Sequence, residues 1–308
     1  MEVRFVDLFA GAGGATAGLK RRLKPVGAVE WNPIAAESYR RNHGDHVIVE
    51  DIRKVSWRML IERFGPIDHL HFSPPCQEFS PLGLRGGWES ERGGLMWEPY
   101  RLLREAMIEG TLPRTIDMEN VKGLSFRQYA DAFKDWRSAL SGLGYTLGWR
   151  VVNMADYGVS QTRERVILVG DMDGKLQLPA PTHDKSAWIT GAQALGVDDS
   201  EPFLWVDDTY NKPSRDGKPR VFDLSKRPAP TVDARSGGRP KLGRPGEEVA
   251  GKPEHWATFQ GFPKDYAFYG KVVEQAMQIG NACPPPFFAM LSEEIYAVHA
   301  ESKGEMSA

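Results

Sequence analysis

One of the two cysteines in this 308-residue chain stands where a reactive group would stand. Cys76 follows Ser73-Pro74-Pro75 at the end of an apolar run, Ile67–Phe72, that reads as a strand. The Pro-Pro pair stiffens the backbone ahead of the thiol, and a cation or helix N-terminus nearby would favour the nucleophilic thiolate. The next candidate strand, Thr115–Met118, runs into Glu119-Asn120. Neighbouring strand ends would set Cys76 and Glu119 on one rim. Further along, Gln161-Thr162-Arg163-Glu164-Arg165 opens a later strand. Alternate residues of an extended segment face one way, so Gln161, Arg163 and Arg165 form one polar row. Taken alone, that row reads as a surface ladder of ion pairs.

A second group of residues suits a nucleoside-type ligand. The first strand ends in Asp7-Leu8-Phe9-Ala10-Gly11-Ala12-Gly13-Gly14 and a helix follows. Glycines there allow a tight turn and a close approach to a ligand. The dinucleotide pattern Gly-x-Gly-x-x-Gly fails, because Thr16 takes the last position. Glu30 ends the second strand, where an acid can accept from both ribose hydroxyls, and Asp51 lies just past the third. Each acid alone reads as a cap or a solvated group. Three features on successive strand ends favour a ligand site.

These groups need a scaffold of strands with their ends on one rim. The candidate strands are Val3–Leu8, Gly27–Glu30, Val47–Val49, Ile67–Phe72 and Thr115–Met118. Ala15–Leu23, Ser56–Phe64, Pro99–Glu109 and Tyr129–Leu143 read as helices. That alternation predicts a parallel sheet with helices on both faces. Leu147–Met154 and Arg165–Gly170 follow too closely for a crossover helix, which predicts an antiparallel pair at the sheet edge. From Pro179 to Gly251 the chain is rich in Pro, Gly, Asp and basic residues, predicting a loop-heavy small domain. Regular structure returns at Trp256, and Pro286–Val298 reads as a last helix.

Bulk properties narrow the class. The net charge is −2, which disfavours a protein that coats nucleic acid nonspecifically. Lys212–Arg244 nonetheless holds ten Lys and Arg against three Asp, a local +7 on a remainder of −9. Such a segment suits either a localised polyanion contact or a solvated loop. Two cysteines exclude a disulfide framework and fit a reducing, cytoplasmic compartment. No apolar run reaches the ~20 residues of a membrane span, and the N-terminus lacks a signal-peptide pattern. No metal-ligand cluster is expected.

The pieces in order are DLFAGAGG at 7–14, PCQ at 75–77, ENV at 119–121, QTRER at 161–165, Phe259-Gln-Gly-Phe-Pro263 and Gly280-Asn281. In this combination, order and spacing the chain resembles the DNA (cytosine-5) methyltransferase family over nearly its whole length. The resemblance implies an α/β, Rossmann-like methyltransferase fold. Its sheet would be seven-stranded and mostly parallel with an antiparallel edge strand, accompanied by a small target-recognition domain. It suggests a catalytic domain over 1–178 and 279–308, with the recognition domain and hinge over 179–278.

By the same resemblance the methyl donor would be S-adenosylmethionine, leaving S-adenosylhomocysteine. Its site would use Phe9, Gly11, Gly14, Glu30 on the ribose, Trp31 stacked on adenine, Asp51 on the adenine edge, Ile52, Pro75, Leu95 and Asn281. Cys76 would be the nucleophile, Glu119 the acid on the cytosine, and Arg163 and Arg165 the residues orienting ring and phosphate. Gln77, Ser80, Gln161, Thr231, Arg235, Arg239, Lys241 and Arg244 would contact DNA, with Thr231-Val232 resembling the family's Thr-aliphatic pair. The loop Phe79–Leu95, with five glycines, is expected to close over a flipped-out base. Cys283 departs from the family's usual valine and reads as core filler. The expected partner is double-stranded DNA, met by a monomer, and no cognate endonuclease can be inferred. The competing readings are cytosine methylation of transfer RNA and a catalytically silent DNA-binding protein on the same fold.

Overall fold

The computed structural model describes residues 1–75, 94–207, 218–234, 240–302 and 304. They form two compact units. The first is Met1–Val152, Glu164–Ala180 and Phe288–Ala308, and the second is Asn153–Arg163 and Pro181–Phe287. The divisions thus fall at 180/181 and 287/288, and residues 153–163 go with the second unit.

The first unit is built on strands β1 (Arg4–Leu8), β2 (Lys24–Val29), β3 (Val47–Ile48), β4 (His69–Phe72), β5 (Thr115–Val121), β6 (Thr146–Asn153) and β7 (Glu164–Asp171). Their order is β3-β2-β1-β4-β5-β7-β6. The pairs β1–β2, β2–β3, β1–β4 and β4–β5 are parallel, and β5–β7 is antiparallel. The mostly parallel seven-stranded sheet therefore agrees with the expectation. The strand seen to run against its neighbour, β7, is next to last, and β6 lies outside it. Strand order reverses between β1 and β4, the switch point beyond which α/β sheets bind ligands.

Helices α1 (Gly14–Leu19), α2 (Pro33–His43), α3 (Trp57–Phe64), α4 (Glu98–Ile108) and α5 (Ala130–Ser141) accompany this sheet. Several begin or end for a local reason. Asn32 caps α2 through Ile34 N and Ala35 N, with Pro33 at the first helical position. Ser56 caps α3 through Met59 N, and Gly65 ends it with φ 74°. Trp57, Trp136, Phe72, Leu102 and Met118 are fully buried in one core. Burying each such side chain stabilises by roughly 2 kcal/mol.

The second unit holds α6 (Gly191–Leu195), α7 (Pro253–Gln260) and α8 (Val272–Asn281). Its sheet is formed by β8 (Leu204–Asp207), β9 (Arg220–Asp223), β10 (Lys241–Gly243) and β11 (Val249–Ala250) in the order β11-β10-β8-β9, all antiparallel. This region is more regular than its composition predicts. Trp205, Trp256 and Phe259 anchor its core. The last helix, α9 (Pro285–Ser302), starts in the second unit and continues in the first.

Candidate active site

In the first unit the turn after β1 is held open by backbone conformation. Phe9 has φ 61°, the only positive φ of a non-glycine among the described residues. Gly13 has φ 88°, and a Cβ there would lie 2.5 Å from His43 and 2.9 Å from Tyr39. Glycine is thus required twice over at Gly13. A Cβ on Gly11, by contrast, meets no described atom within 4 Å, so that face is open. Gly14 opens α1 and is buried.

Glu30, at the end of β2, is 6 % exposed, and its two oxygens accept from Gly11 N and Asn32 N, each at 2.8 Å. Burial raises the pKa of its carboxyl. The acid therefore fastens the glycine turn and belongs to the same rim. Beside it, the ring of Trp31 is 71 % exposed, a rare position for a large apolar surface. Asp51 is engaged locally. It caps the turn Ile52–Lys54 through Arg53 N, and its ion pair with Arg53 Nη2 is 2.6 Å long. Hydrogen bonds from the Arg53 side chain hold its pKa at about 2. Ile52 is core. Arg101 donates to the carbonyls of Ile52 (3.1 Å) and Val55 (2.8 Å) and so fixes this turn from α4.

At the end of β5, Glu119 faces Arg165 of β7. Arg165 Nε lies 2.8 Å from Glu119 Oε1, and the side chains are 12 % and 9 % exposed. Close as it is, the N–H does not point along a hydrogen-bond direction, and Glu119 Oε1 has no hydrogen-bond partner among the described residues. Distance establishes the ion pair, and the angle leaves an acceptor facing its surroundings. Asn120 donates to the carbonyl of Pro74 at 3.2 Å and lies 3.4 Å from Met96 Sδ. The segment leading to Cys76 is thereby tied to β5. Pro75, the last described residue before Cys76, is half-buried. Leu95 is partly buried against the core, in a turn secured by Trp136 Nε1 bonding to Met96 O at 2.7 Å. Cys76, Gln77, Ser80, Arg235 and Arg239 lie outside the described residues, as does most of the expected closing loop 79–95.

The second unit absorbs several residues expected to meet substrate. Arg163 is 1 % exposed. Its guanidinium donates to Val232 O (3.0 Å), Gly280 O (2.9 Å) and Ala282 O (3.1 Å). Gln161 is fully buried; its amide donates to Phe259 O (3.1 Å) and to Gln260 Oε1, and accepts from Val232 N (3.0 Å). Gly280 packs so tightly that a Cβ would lie 2.3 Å from the backbone of Asp233. Residues 161 and 163, 232, 259–260, 280 and 282 thus meet in one buried knot. Arg163, expected to orient ring and phosphate, and Gln161, expected to contact DNA, are both enclosed here and bonded mainly to backbone.

Arg244, expected to contact DNA, is likewise engaged: its guanidinium donates to Asp198 O (2.9 Å), Glu201 O (2.6 Å) and Pro202 O (3.3 Å). Lys241, on β10, and Asn281, ending α8, are exposed. Thr231 is also exposed and donates to Thr162 O. Cys283 is buried, as expected of core filler. Among the described residues no cluster could hold a metal, and no helix is long and apolar enough to cross a membrane.

The sequence reading missed Asn120 as a tie, the carbonyl-binding role of Arg101, and a row of buried polar groups on β1, β4 and β5. The last had a signal: His69 and His71, and likewise Asp117 and Glu119, alternate within strands that are otherwise apolar.

Comparison with known proteins places these features in a family. The family model described as C-5 cytosine-specific DNA methylase matches residues 3–190 and 251–297. The type II methyltransferase M.AquIA of Picosynechococcus is 36 % identical over 201 residues, 60 % of this chain and 79 % of that protein. M1.HphI of Haemophilus parahaemolyticus is 28 % identical over 331 residues, 96 % of this chain and 87 % of that one. Among solved structures, the Entamoeba histolytica methyltransferase EhMeth is similar with a TM-score of 0.69 and 16 % identity, covering 97 % of this chain and 99 % of its own. At that identity the likeness speaks to the fold.

Proposed function

The chain belongs to the C-5 cytosine-specific DNA methylase family, and from that premise we propose that Cys76, Glu119 and Arg165 perform the reaction with S-adenosylmethionine as donor. The chain is an enzyme that transfers a methyl group to carbon 5 of cytosine in DNA.

The rim fits the donor. Gly11 offers an open face, Glu30 sits beside it with its oxygens on the turn, and the exposed ring of Trp31 provides a stacking surface for a purine. Phe9, Gly14, Asp51, Ile52, Pro75, Leu95 and Asn281 complete the proposed set. The sulfonium supplies an electrophilic methyl group when bound. Everything else falls to the protein.

Carbon 5 of cytosine is a poor nucleophile while the ring is conjugated. The Cys76 thiolate adds to carbon 6, forming a carbon–sulfur bond and moving an electron pair toward nitrogen 3. Glu119, as the acid, gives nitrogen 3 a proton or a strong hydrogen bond. Arg165 stabilises charge at the ring oxygen. Carbon 5, now enamine-like, takes the methyl group. A base then removes the carbon-5 proton, the carbon–sulfur bond breaks, the thiolate leaves, and nitrogen 3 returns its proton to Glu119. In duplex DNA the target base must first leave the stack, at an expense of a few kcal/mol.

The observation that carries this reading is Glu119 beside Arg165 at the end of β5. An enclosed carboxyl with an unsatisfied oxygen next to a cation is what a flipped cytosine edge would meet. We assign DNA contacts to Gln77, Ser80, Thr231, Arg235, Arg239 and Lys241. We also assign a type II methyltransferase role, a monomeric state and a reducing cellular compartment.

The test is a duplex bearing 5-fluorocytosine, incubated with protein and donor. Fluorine cannot leave as a proton does, so a covalent protein–DNA adduct accumulates, detectable by mass spectrometry on the Cys76 peptide. Cys76→Ser should form none. Absence of an adduct with the intact protein, or methyl transfer to transfer RNA with none to duplex DNA, sinks the proposal. Bisulfite sequencing of DNA from expressing cells then reads out the target.

A further inference from the structure

Across the sheet of the first unit runs a row of buried ionisable groups that the mechanism does not use. Asp7 on β1, His71 on β4 and Asp117 on β5 are register partners, so their side chains stand side by side on one face. All three are fully buried. His71 Nδ1 is 2.8 Å from Asp117 Oδ2, and His71 Nε2 is 3.9 Å from Asp7 Oδ1. The other oxygens are engaged: Asp7 Oδ2 accepts from Thr16 Oγ1 at 2.6 Å, and Asp117 Oδ1 is 2.8 Å from His69 Nε2.

The partners admit one consistent pattern of hydrogens. His69 Nδ1 lies 2.9 Å from Thr115 Oγ1, which lies 3.0 Å from His299 Nε2. If His299 donates to the Thr115 hydroxyl, that hydroxyl donates to His69 Nδ1, and His69 Nε2–H donates to Asp117. His69 is then satisfied as a neutral ring. His71 differs, because both of its nitrogens face carboxylates. A neutral imidazole would turn a lone pair toward one of them. Only the cation is attracted to both: at 3.9 Å Nε2 and Asp7 Oδ1 are not hydrogen-bonded, and neither has a hydrogen-bond partner among the described residues, so that contact is charge attraction alone.

We propose that His71 is a positioning residue: its imidazolium, set between the Asp7 and Asp117 carboxylates, holds the ends of β1, β4 and β5 in the arrangement the donor turn and Glu119 require. The inference rests on the function proposed above. Its reach is short. Asp7 precedes Phe9 by two residues, and Asp117 precedes Glu119 by two. Ser73, two beyond His71, donates from its N to Leu8 O (3.3 Å) and from its Oγ to Phe9 O (3.4 Å). Without the cation, two enclosed carboxylates flank β4 with nothing between them to offset their repulsion.

Other groups around His71 point the same way. From β5, Asp117 and, farther along, Glu119 are acidic; from β1, Asp7 is. On its own strand His69 is reached through Asp117, and α9 presents the edge of the Phe288 ring at 5.1 Å, with His299 reached only through Thr115. Burial opposes the charge on His71, but the Asp117 and Asp7 carboxylates raise its pKa to about 9. Burial also opposes charge on Asp117, yet the His71 cation and the His69 hydrogen bond hold it below the usual range. On Asp7 burial prevails and raises the pKa, against the pull of the His71 cation and the Thr16 hydrogen bond.

A raised histidine pKa contributes stability that is complete below the unfolded value of about 6.5 and is lost as pH climbs through the folded value. Nitrogen-15 NMR of histidine side chains in the whole protein at about pH 7.5, assigned with His71→Asn, should find both ring nitrogens of His71 protonated, titrating near pH 9. Over the same rise, melting temperature and affinity for S-adenosylhomocysteine should fall together. In His71→Asn the affinity should be about tenfold weaker near neutrality, as expected for a slight misplacement of binding groups, and the alkaline fall should vanish. A singly protonated His71 ring at neutral pH overturns the proposal. So does a His71→Asn protein with unchanged affinity and the alkaline melting profile of the parent. Because NMR and melting do not need catalysis, they decide the matter even if no DNA is methylated.

Discussion

Arg163 and Arg165 are two residues apart, alike in type and in the direction a strand would give them, yet they lie in different units with different work. Arg163, in the second unit, delivers its guanidinium to three backbone carbonyls and is enclosed. Arg165, in the first, stands against a carboxyl whose Oε1 has no hydrogen-bond partner among the described residues. The rim of the first unit leaves polar atoms open, whereas the knot in the second closes nearly every one. A motif's residue types therefore do not say which members touch substrate. The partners do.

Four substitutions bear on that contrast. The largest effect on stability should come from Arg163→Ala. Each buried carbonyl left without a donor costs about 1–3 kcal/mol, so three should lower the unfolding free energy by at least about 3 kcal/mol. Urea denaturation measures it, and a loss under about 1 kcal/mol, the low end for even one such carbonyl, would break the contrast. Arg165→Ala should act oppositely, lowering kcat by roughly a hundredfold or more, as removal of a charge-stabilising donor does. Its loss of stability should be smaller than that of Arg163→Ala, since one enclosed ion pair is broken rather than three buried carbonyl bonds. Gly280→Ala pushes a methyl into the backbone of Asp233 and should destabilise by about 1–3 kcal/mol. Smallest is Trp31→Ala. It should raise KM for the donor about tenfold, near 1.4 kcal/mol, with kcat and melting unchanged within error. Equal losses of activity and stability in Arg165→Ala and Arg163→Ala would mean that the two arginines share one structural role.

The sheet was legible because its strands are short apolar runs ending in marked residues. Arg4–Leu8, His69–Phe72 and Glu164–Asp171 fall within one or two residues of their expected places. The helix Pro33–His43 was not anticipated, although Asn32-Pro33 is a start signal, because its face carries mostly polar and small residues. The small sheet of the second unit escaped for another reason: strands of two to four residues are too short to display a period. Of the site, residues on strand ends could be read because topology alone brings strand ends together. Gln161 and Arg163 could not, because their partners are backbone groups about 70 to 120 residues away, and backbone partners leave no trace in residue type. The backbone bonds of Arg244 were illegible for the same reason.

The assignment of residues 153–163 to the second unit bears on modularity. The chain passes between the units at 152/153, 163/164, 180/181 and 287/288. A transplant of 181–287 from a relative, meant to import a new target sequence, would leave behind the short segment whose Gln161 and Arg163 clasp residues 232, 259–260 and 280–282. The imported stretch would have to offer the same carbonyls in the same places, or bring its own copy of 153–163. The second unit is therefore two pieces of gene, and exchanges that move only the longer one should yield chimaeras that fail to fold.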